Sequence, residues 1–185
     1  MTQRMTSLPA LGTEIWAELV RCSADKQHPW RTPVLATISG DTADARTVVL
    51  REVDVRQRQL LIYSDERAGK VVQLLKHSSG TLVMWSPQLG WQLRCRVRLS
   101  LEMSGLAASS RWARIKLSPS AQDYLSPLAP GTPLPAQAPG HAAPEREYFS
   151  VICAYVTSID WLELHADGHR RARFDGDAPG QWLQP

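Results

Sequence analysis

Three features of the 185-residue sequence predict a mainly β protein, an antiparallel barrel dressed with peripheral helices. Short stretches rich in β-branched and aromatic residues recur along the whole chain, separated by Gly, Pro, Ser and Asp turn chemistry. One of them, Trp91–Met103, alternates strictly, with Leu93, Cys95, Val97 and Leu99 on one face and Arg94, Arg96 and Arg98 on the other. Helical periodicity is confined to a few brief segments. Strands in this number with short helices between them are best buried by closing the sheet on itself, in a barrel of six strands or slightly more.

Taken in order, residues 11–22 form an amphipathic helix, because Leu11, Ile15 and Leu19 recur every four positions and Trp16 and Val20 widen the stripe. His28-Pro29-Trp30-Arg31-Thr32-Pro33 ends it. Val34–Ser39 is the first strand, turned by Ser39-Gly40-Asp41; Arg46–Val53 is the second and Gln59–Ser64 the third. The period changes over Asp65–Lys76, where Val71, Leu74 and Leu75 mark a helix that Asp65 is placed to cap. Thr81–Trp85 and Trp91–Met103 follow as strands. Residues 107–124 read as helix in two pieces, broken at Ser118-Pro119. Ser126–Pro144, rich in Pro, Ala and Gly, reads as a long irregular excursion. Tyr148–Val156, Ile159–Leu164 and Gly168–Phe174 complete the strands.

The chain is long enough to bury a core as one domain over residues 1–185. No apolar run approaches the roughly 18 residues of a membrane span, so no membrane is expected. The first residues lack the basic and then apolar pattern of a secretory signal. Cys22, Cys95 and Cys153 are odd in number and far apart, which suggests neither a disulfide framework nor a metal site, and a cytoplasmic setting is expected. A net charge of +3 is too small to imply nucleic acid, although arginines crowd at 94, 96 and 98 and at 170, 171 and 173. The 94/96/98 stripe reads as a solvated or dimer-facing surface. Seven tryptophans read mainly as anchors of the core or of a subunit interface, Trp85 and Trp161 among them.

Four stretches carry a resemblance. They are Arg46-Thr47-Val48-Val49-Leu50-Arg51; Tyr63-Ser64-Asp65-Glu66-Arg67-Ala68-Gly69-Lys70; Trp85 with Trp91-Gln92-Leu93-Arg94; and Ser158-Ile159-Asp160-Trp161-Leu162 with His169-Arg170-Arg171-Ala172-Arg173-Phe174 and Trp182-Leu183-Gln184-Pro185. In order and spacing they are similar to the pyridoxamine 5′-phosphate oxidase-like family. The resemblance implies a split β-barrel that binds FMN, with FMN at the interface of a homodimer and a small-molecule substrate beside it. It implies that Arg46 grips the FMN phosphate and that Arg51 lies beside the flavin ring. Thr47, Val48, Val49 and Leu50 then belong to the flavin-binding strand, and Tyr63, Ser64, Lys70, Gln92 and Arg173 are further cofactor contacts.

The chemistry of these residue types agrees. A phosphate wants a guanidinium fork and backbone N–H donors, and Lys70 falls in the first turn of a helix where such donors lie. A cation near the electron-rich edge of a reduced flavin stabilises it, a role open to Arg51 and Arg173. In a regular strand Arg46 and Arg51, five apart, face opposite ways, so both serve one ligand only where the strand bulges or a neighbouring segment wraps round.

The sequence departs from the vitamin B6 enzyme where that enzyme holds its substrate. The middle-helix pattern of Tyr, Arg and Ser corresponds at best to Trp112, Lys116 and Ser120, and the C-terminal Arg-x-His becomes His169 and Arg171. The Ser-Arg before Lys70 is Ala68-Gly69. The chain looks closer to an FMN-binding branch of the family without assigned substrates. No catalytic nucleophile constellation is present. An FMN-dependent oxidoreductase, a non-catalytic FMN-binding or electron-passing module, and a flavin-free barrel using its arginine stripe are the readings left open, the last opposed by the small net charge.

Overall fold

The computed structural model describes residues 4–134 and 147–185, so the part of the Pro-rich excursion from 135 to 144 lies outside the described residues. Helix α1, Leu8–Ala24, starts earlier than its apolar period because Pro9 suits a first turn, and it buries Leu11, Ile15 and Leu19. A turn of 3-10 helix, Pro29–Arg31, follows, with His28 Nδ1 accepting from the Trp30 N–H at 3.1 Å.

Among the described residues nine strands form one antiparallel sheet: β1 Val34–Ser39, β2 Thr42–Thr47, β3 Leu50–Asp54, β4 Gln59–Asp65, β5 Ser79–Ser86, β6 Trp91–Glu102, β7 Phe149–Glu163, β8 Arg170–Asp175 and β9 Gln181–Leu183. Their order is β2-β1-β5-β6-β7-β4-β3, with β8 on β7 and β9 on β8. β7 gives the first part of one edge to β4 and the last part to β8, with Phe149 opposite Asp65 and Glu163 opposite Arg170. β2 and β3 stand at opposite ends of that order, yet only Val48 and Val49 separate them. Three residue steps reach about 11 Å at most, so the sheet curls until its two ends meet.

The curl does not close the ladder, and this corrects the closed barrel expected from the strand count. At the corner the Val48 N–H donates to Pro33 O at 2.9 Å, outside any strand pairing. The expected strand Arg46–Val53 is therefore two strands on opposite edges. Two bulges shape the rest. Leu50 pairs with Ile62 but Glu52 with Leu61, which leaves Arg51 as the extra residue. Arg96 pairs with Ser158 but Val97 with Val156, which leaves Thr157 extra. The expected break between Val156 and Ile159 is this bulge, inside one continuous strand.

Helix α2, Gly69–Lys76, packs Val71 and Leu74 into the main core. Its N-cap is Ala68, whose methyl accepts nothing. Asp65, the expected cap, ends β4 instead, and Arg67 claims its carboxylate through the backbone N–H at 2.8 Å and through Nη2 at 2.7 Å. Helix α3, Gly105–Ile115, and a 3-10 turn, Pro119–Tyr124, cover a second cluster. β4 serves both clusters by its two-residue period: Leu60 and Ile62 enter the main core, Leu61 and Tyr63 the second.

Gly90, in the β5–β6 turn, has φ +64°, and an added Cβ would lie 2.6 Å from Leu164 O. Gly90→Ala is expected to destabilise the protein by about 2 kcal/mol or more. Denaturant unfolding measures this, and an unchanged midpoint would mean that the turn does not sit against Leu164.

Candidate functional site

Arg46 reaches from β2 into the space between β1 and α2. Its Nη1 donates to Leu35 O at 3.1 Å and to Thr37 Oγ1 at 2.5 Å, and its Nη2 to Gln73 Oε1 at 2.9 Å. Nη2 also lies 2.5 Å from Asp44 Oδ2, which accepts from Gln73 Nε2 at 2.7 Å. Lys70 precedes Gln73 by three residues on α2, hence on the same side of the helix. Burial pushes the Lys70 ammonium below the usual lysine range, Arg46 pushes it the same way, and Asp65 opposes them. Among the described residues no acceptor is hydrogen-bonded to Lys70. Two cations converge here, one of them hydrogen-bonded, and an anion bound between them would favour the charged form of Lys70 and so oppose both effects. The approach is open at Gly69, where an added Cβ would meet nothing within 4 Å.

The other residues of the expected flavin-binding strand lie around the corner. Thr47 is exposed at the end of β2, Val49 is half-buried, and Val48 and Leu50 are buried in the core. Arg51 sits on the β3 bulge with its guanidinium carbon 5.7 Å from the centre of the Tyr63 ring. The bulge and the corner remove the opposition of faces that a regular strand would impose on Arg46 and Arg51. Tyr63 Oη donates to Glu52 Oε1 at 2.5 Å, and burial and that carboxylate raise its pKa. Ser64 is buried, its Oγ donating to Asp65 O at 3.1 Å.

Gln92, Arg171 and Arg173 come together elsewhere, on the outer face of the sheet. The register sets three rows of side chains across β5, β6, β7 and β8. Trp85, Gln92, Leu162 and Arg171 make one; Val83, Arg94, Asp160 and Arg173 the next; Thr81, Arg96, Ser158 and Asp175 the third. The middle row continues through Val34 to Thr47 on β2. Val34, Ile38 and Trp85 are among the exposed large apolar residues of this face. Trp85, read as a packing residue, is thus open in the single chain, whereas Trp161 is wholly buried.

The expected substrate contacts do not gather in one place. Trp112 is packed in the second cluster against Phe149 at 5.5 Å and Tyr124 at 6.2 Å. Lys116 is exposed just after α3, and Ser120 is half-buried in the following 3-10 turn. His169 is exposed in the β7–β8 connection, and its Nδ1 accepts from the His165 N–H at 3.2 Å. Arg171 gives Nε and Nη2 to Asp160 at 3.0 and 2.7 Å. From Thr47 to Arg173 the sheet runs five inter-strand steps, about 24 Å.

Arg67 is the residue that sequence reasoning missed. Besides binding Asp65 it lies 3.3 Å from the centre of the Tyr148 ring, and its Nη2 donates to Ser126 O at 2.9 Å. It ties the start of the excursion, and Tyr148 beyond it, to the strand that leads to Lys70. The Asp65-x-Arg67 spacing before a helix is the signal that would have found it.

The family model of the pyridoxamine 5′-phosphate oxidase FMN-binding domain matches residues 13–101, from α1 through most of β6. A pyridoxamine 5′-phosphate oxidase-related, FMN-binding protein from Nostoc punctiforme PCC 73102 is similar in structure, with a TM-score of 0.73 at 20% identity over 98% of this chain and 100% of that one. PhzG from Burkholderia lata 383, solved with tetrahydrophenazine-1-carboxylic acid, gives 0.73 at 16% identity over 97% and 93% of the two chains. General stress protein 26 from Bacillus anthracis str. Sterne gives 0.55 at 13% identity over 80% and 93%. At these identities the likeness is one of fold, a split barrel. No curated protein sequence matches the chain.

Proposed function

We propose, from the match of residues 13–101 to the pyridoxamine 5′-phosphate oxidase FMN-binding domain, that the protein is an FMN-dependent oxidoreductase of a small molecule, working as a homodimer. The observation that carries this reading is the corner of Arg46 and Lys70. A half-buried ammonium with no hydrogen-bonded acceptor among the described residues, beside a guanidinium and an open helix start, fits a phosphate better than it fits a solvated surface. Lys70 would hold the phosphate, with Arg46 held behind it by Thr37 and Gln73. When bound, FMN supplies hydride acceptance.

The homodimer follows from what one chain leaves undone. Arg171, Arg173 and Gln92 share a face that carries exposed Trp85 and Val34, and apolar side chains on an uncovered sheet face favour a partner surface. In the sheet order Arg171 and Arg173 of that face are separated from the Arg46 strand by several strands, and a second copy of the chain laid on it would bring its own corner of Arg46 and Lys70 to these side chains. The three cysteines are free and buried, which suits the proposed cytoplasmic setting. Among the described residues no helix is long and apolar enough to cross a membrane.

One observation favours the non-catalytic alternative, a flavin-binding or electron-passing module. Trp112, which stands where the family's substrate-gripping pattern begins, is consumed by packing rather than turned to a ligand. The absorption spectrum of the purified protein tests both readings: flavin bands in the near ultraviolet and blue are expected, and a colourless protein that stays colourless after FMN addition would end both. Turnover with an amine or a nicotinamide donor separates the two. Sedimentation at micromolar concentration is expected to give a dimer, and a monomer would remove the proposed interface.

A further inference from the structure

On the outer face, Thr81, Arg94, Arg96, Ser158, Asp160 and Arg173 line a depression of about 160 Å³. The β7 bulge makes it. Thr157, the extra residue, donates Oγ1 to Arg96 O at 3.1 Å and brings Ser158 directly opposite Arg96. Two short hydroxyl side chains then sit among long arginines, and the surface dips between them.

The charges around the depression are not evenly matched. Asp160 is fully engaged, by Arg171 as above and by Arg94 Nη2 at 2.5 Å. Burial works against its ionisation, yet the two arginines hold its carboxyl below the usual range. Arg173 gives Nε to Asp175 at 2.9 Å. Arg96 donates no side-chain hydrogen bond among the described residues. Four guanidinium groups, those of Arg94, Arg96, Arg171 and Arg173, thus meet two carboxylates, and Arg96 keeps its whole fork.

We propose that this depression is a second anion site, separate from the Arg46–Lys70 corner, which takes the oxyanion of a small-molecule ligand, either a carboxylate or a phosphate. Arg96 supplies a planar N–H fork that matches such an oxyanion, Arg173 adds its Nη groups, and the Thr81 hydroxyl adds a neutral donor, while the Ser158 hydroxyl is engaged by Asp175. The volume admits an acid group rather than a whole cofactor. The pocket would anchor the charged end of a substrate on the face that also carries Gln92, which rests on the reading of an oxidoreductase of a small molecule and makes that molecule an acid.

Arg173 is also a residue that the resemblance places beside the flavin, so the test is run with FMN present. The FMN-saturated full-length protein is titrated calorimetrically with inorganic phosphate and, separately, with benzoate. Wild type is expected to bind at least one probe, and which one tells a phosphate from a carboxylate. Arg96→Gln is expected to weaken it about tenfold or more. Arg98→Gln, on the same stripe but outside the depression, is expected to leave it unchanged. Absence of binding by either probe, or equal weakening in the two variants, would overturn the site and leave only diffuse charge. Binding to the flavin-free protein that FMN abolishes would overturn its separateness. If the protein takes up no FMN, the same titration in Lys70→Ala removes the corner, so failure of the flavin reading and failure of this one are told apart.

Discussion

Pyridoxamine 5′-phosphate is expected to be oxidised by the FMN-loaded protein with a kcat/KM about a hundredfold or more below that of a genuine vitamin B6 oxidase. The residues standing where that enzyme grips the substrate phosphate are otherwise occupied. Trp112 is 9% exposed and packed between aromatic rings. Arg171 spends Nε and Nη2 on Asp160, and His169 has given its Nδ1 lone pair to a backbone N–H. Lys116 and Ser120 remain, one of them exposed. A substrate phosphate with so few partners loses charge-assisted hydrogen bonds worth a few kcal/mol, and every 1.4 kcal/mol is about tenfold in rate. Steady-state peroxide production measures it. A kcat/KM equal to that of the B6 enzyme would mean that another part of the chain has taken over the phosphate.

Lys70→Ala and Arg46→Ala are each expected to weaken FMN binding by about 1.5–3 kcal/mol, roughly 10- to 150-fold. The two losses have different origins. Lys70 has no hydrogen-bonded acceptor among the described residues, so its removal deletes a ligand contact and relieves a desolvated charge. Removing Arg46 also frees Thr37, Gln73 and Asp44, so part of that loss is structural. Riboflavin, which lacks the phosphate, is the control: Lys70→Ala should leave its affinity unchanged. Fluorescence titration reads both ligands, and equal FMN affinity in wild type and both variants would refute the assignment of the corner.

The parts of the fold that were legible in the sequence are those decided by local pattern. Trp91–Met103 is a strand because its alternation buries Leu93, Cys95, Val97 and Leu99 and exposes the arginines, as the structure has it. The helix at 11–22 and the two-piece helical stretch before Tyr124 follow from period and from proline in the same way. What failed depends on contacts distant in sequence. Nothing at Val48-Val49 marks a strand end, and the corner there is made by Pro33 O receiving the Val48 N–H. β9 is three residues long and exists through its pairing with β8. Asp65 looked like a helix cap until Arg67 claimed it.

The site divides along the same line. Arg46 and Lys70 stood out as candidates because their residue types and order resemble a known pattern. Their convergence depends on Thr37 and Gln73, which no local rule picks out. Arg94, Arg96 and Arg98 were visible as a stripe, but which of them faces an engaged carboxylate and which a hydroxyl is set by the β7 bulge and the β8 register. Alternation in one strand gives the face. It does not give the neighbours.

The most direct test of a phosphate-holding flavin site is a paired titration of the flavin-free protein with FMN and with riboflavin. The corner of Arg46 and Lys70 predicts that FMN binds tighter by about a hundredfold, the worth of about 3 kcal/mol of charge-assisted hydrogen bonds to one phosphate. Equal affinities for the two flavins would contradict it.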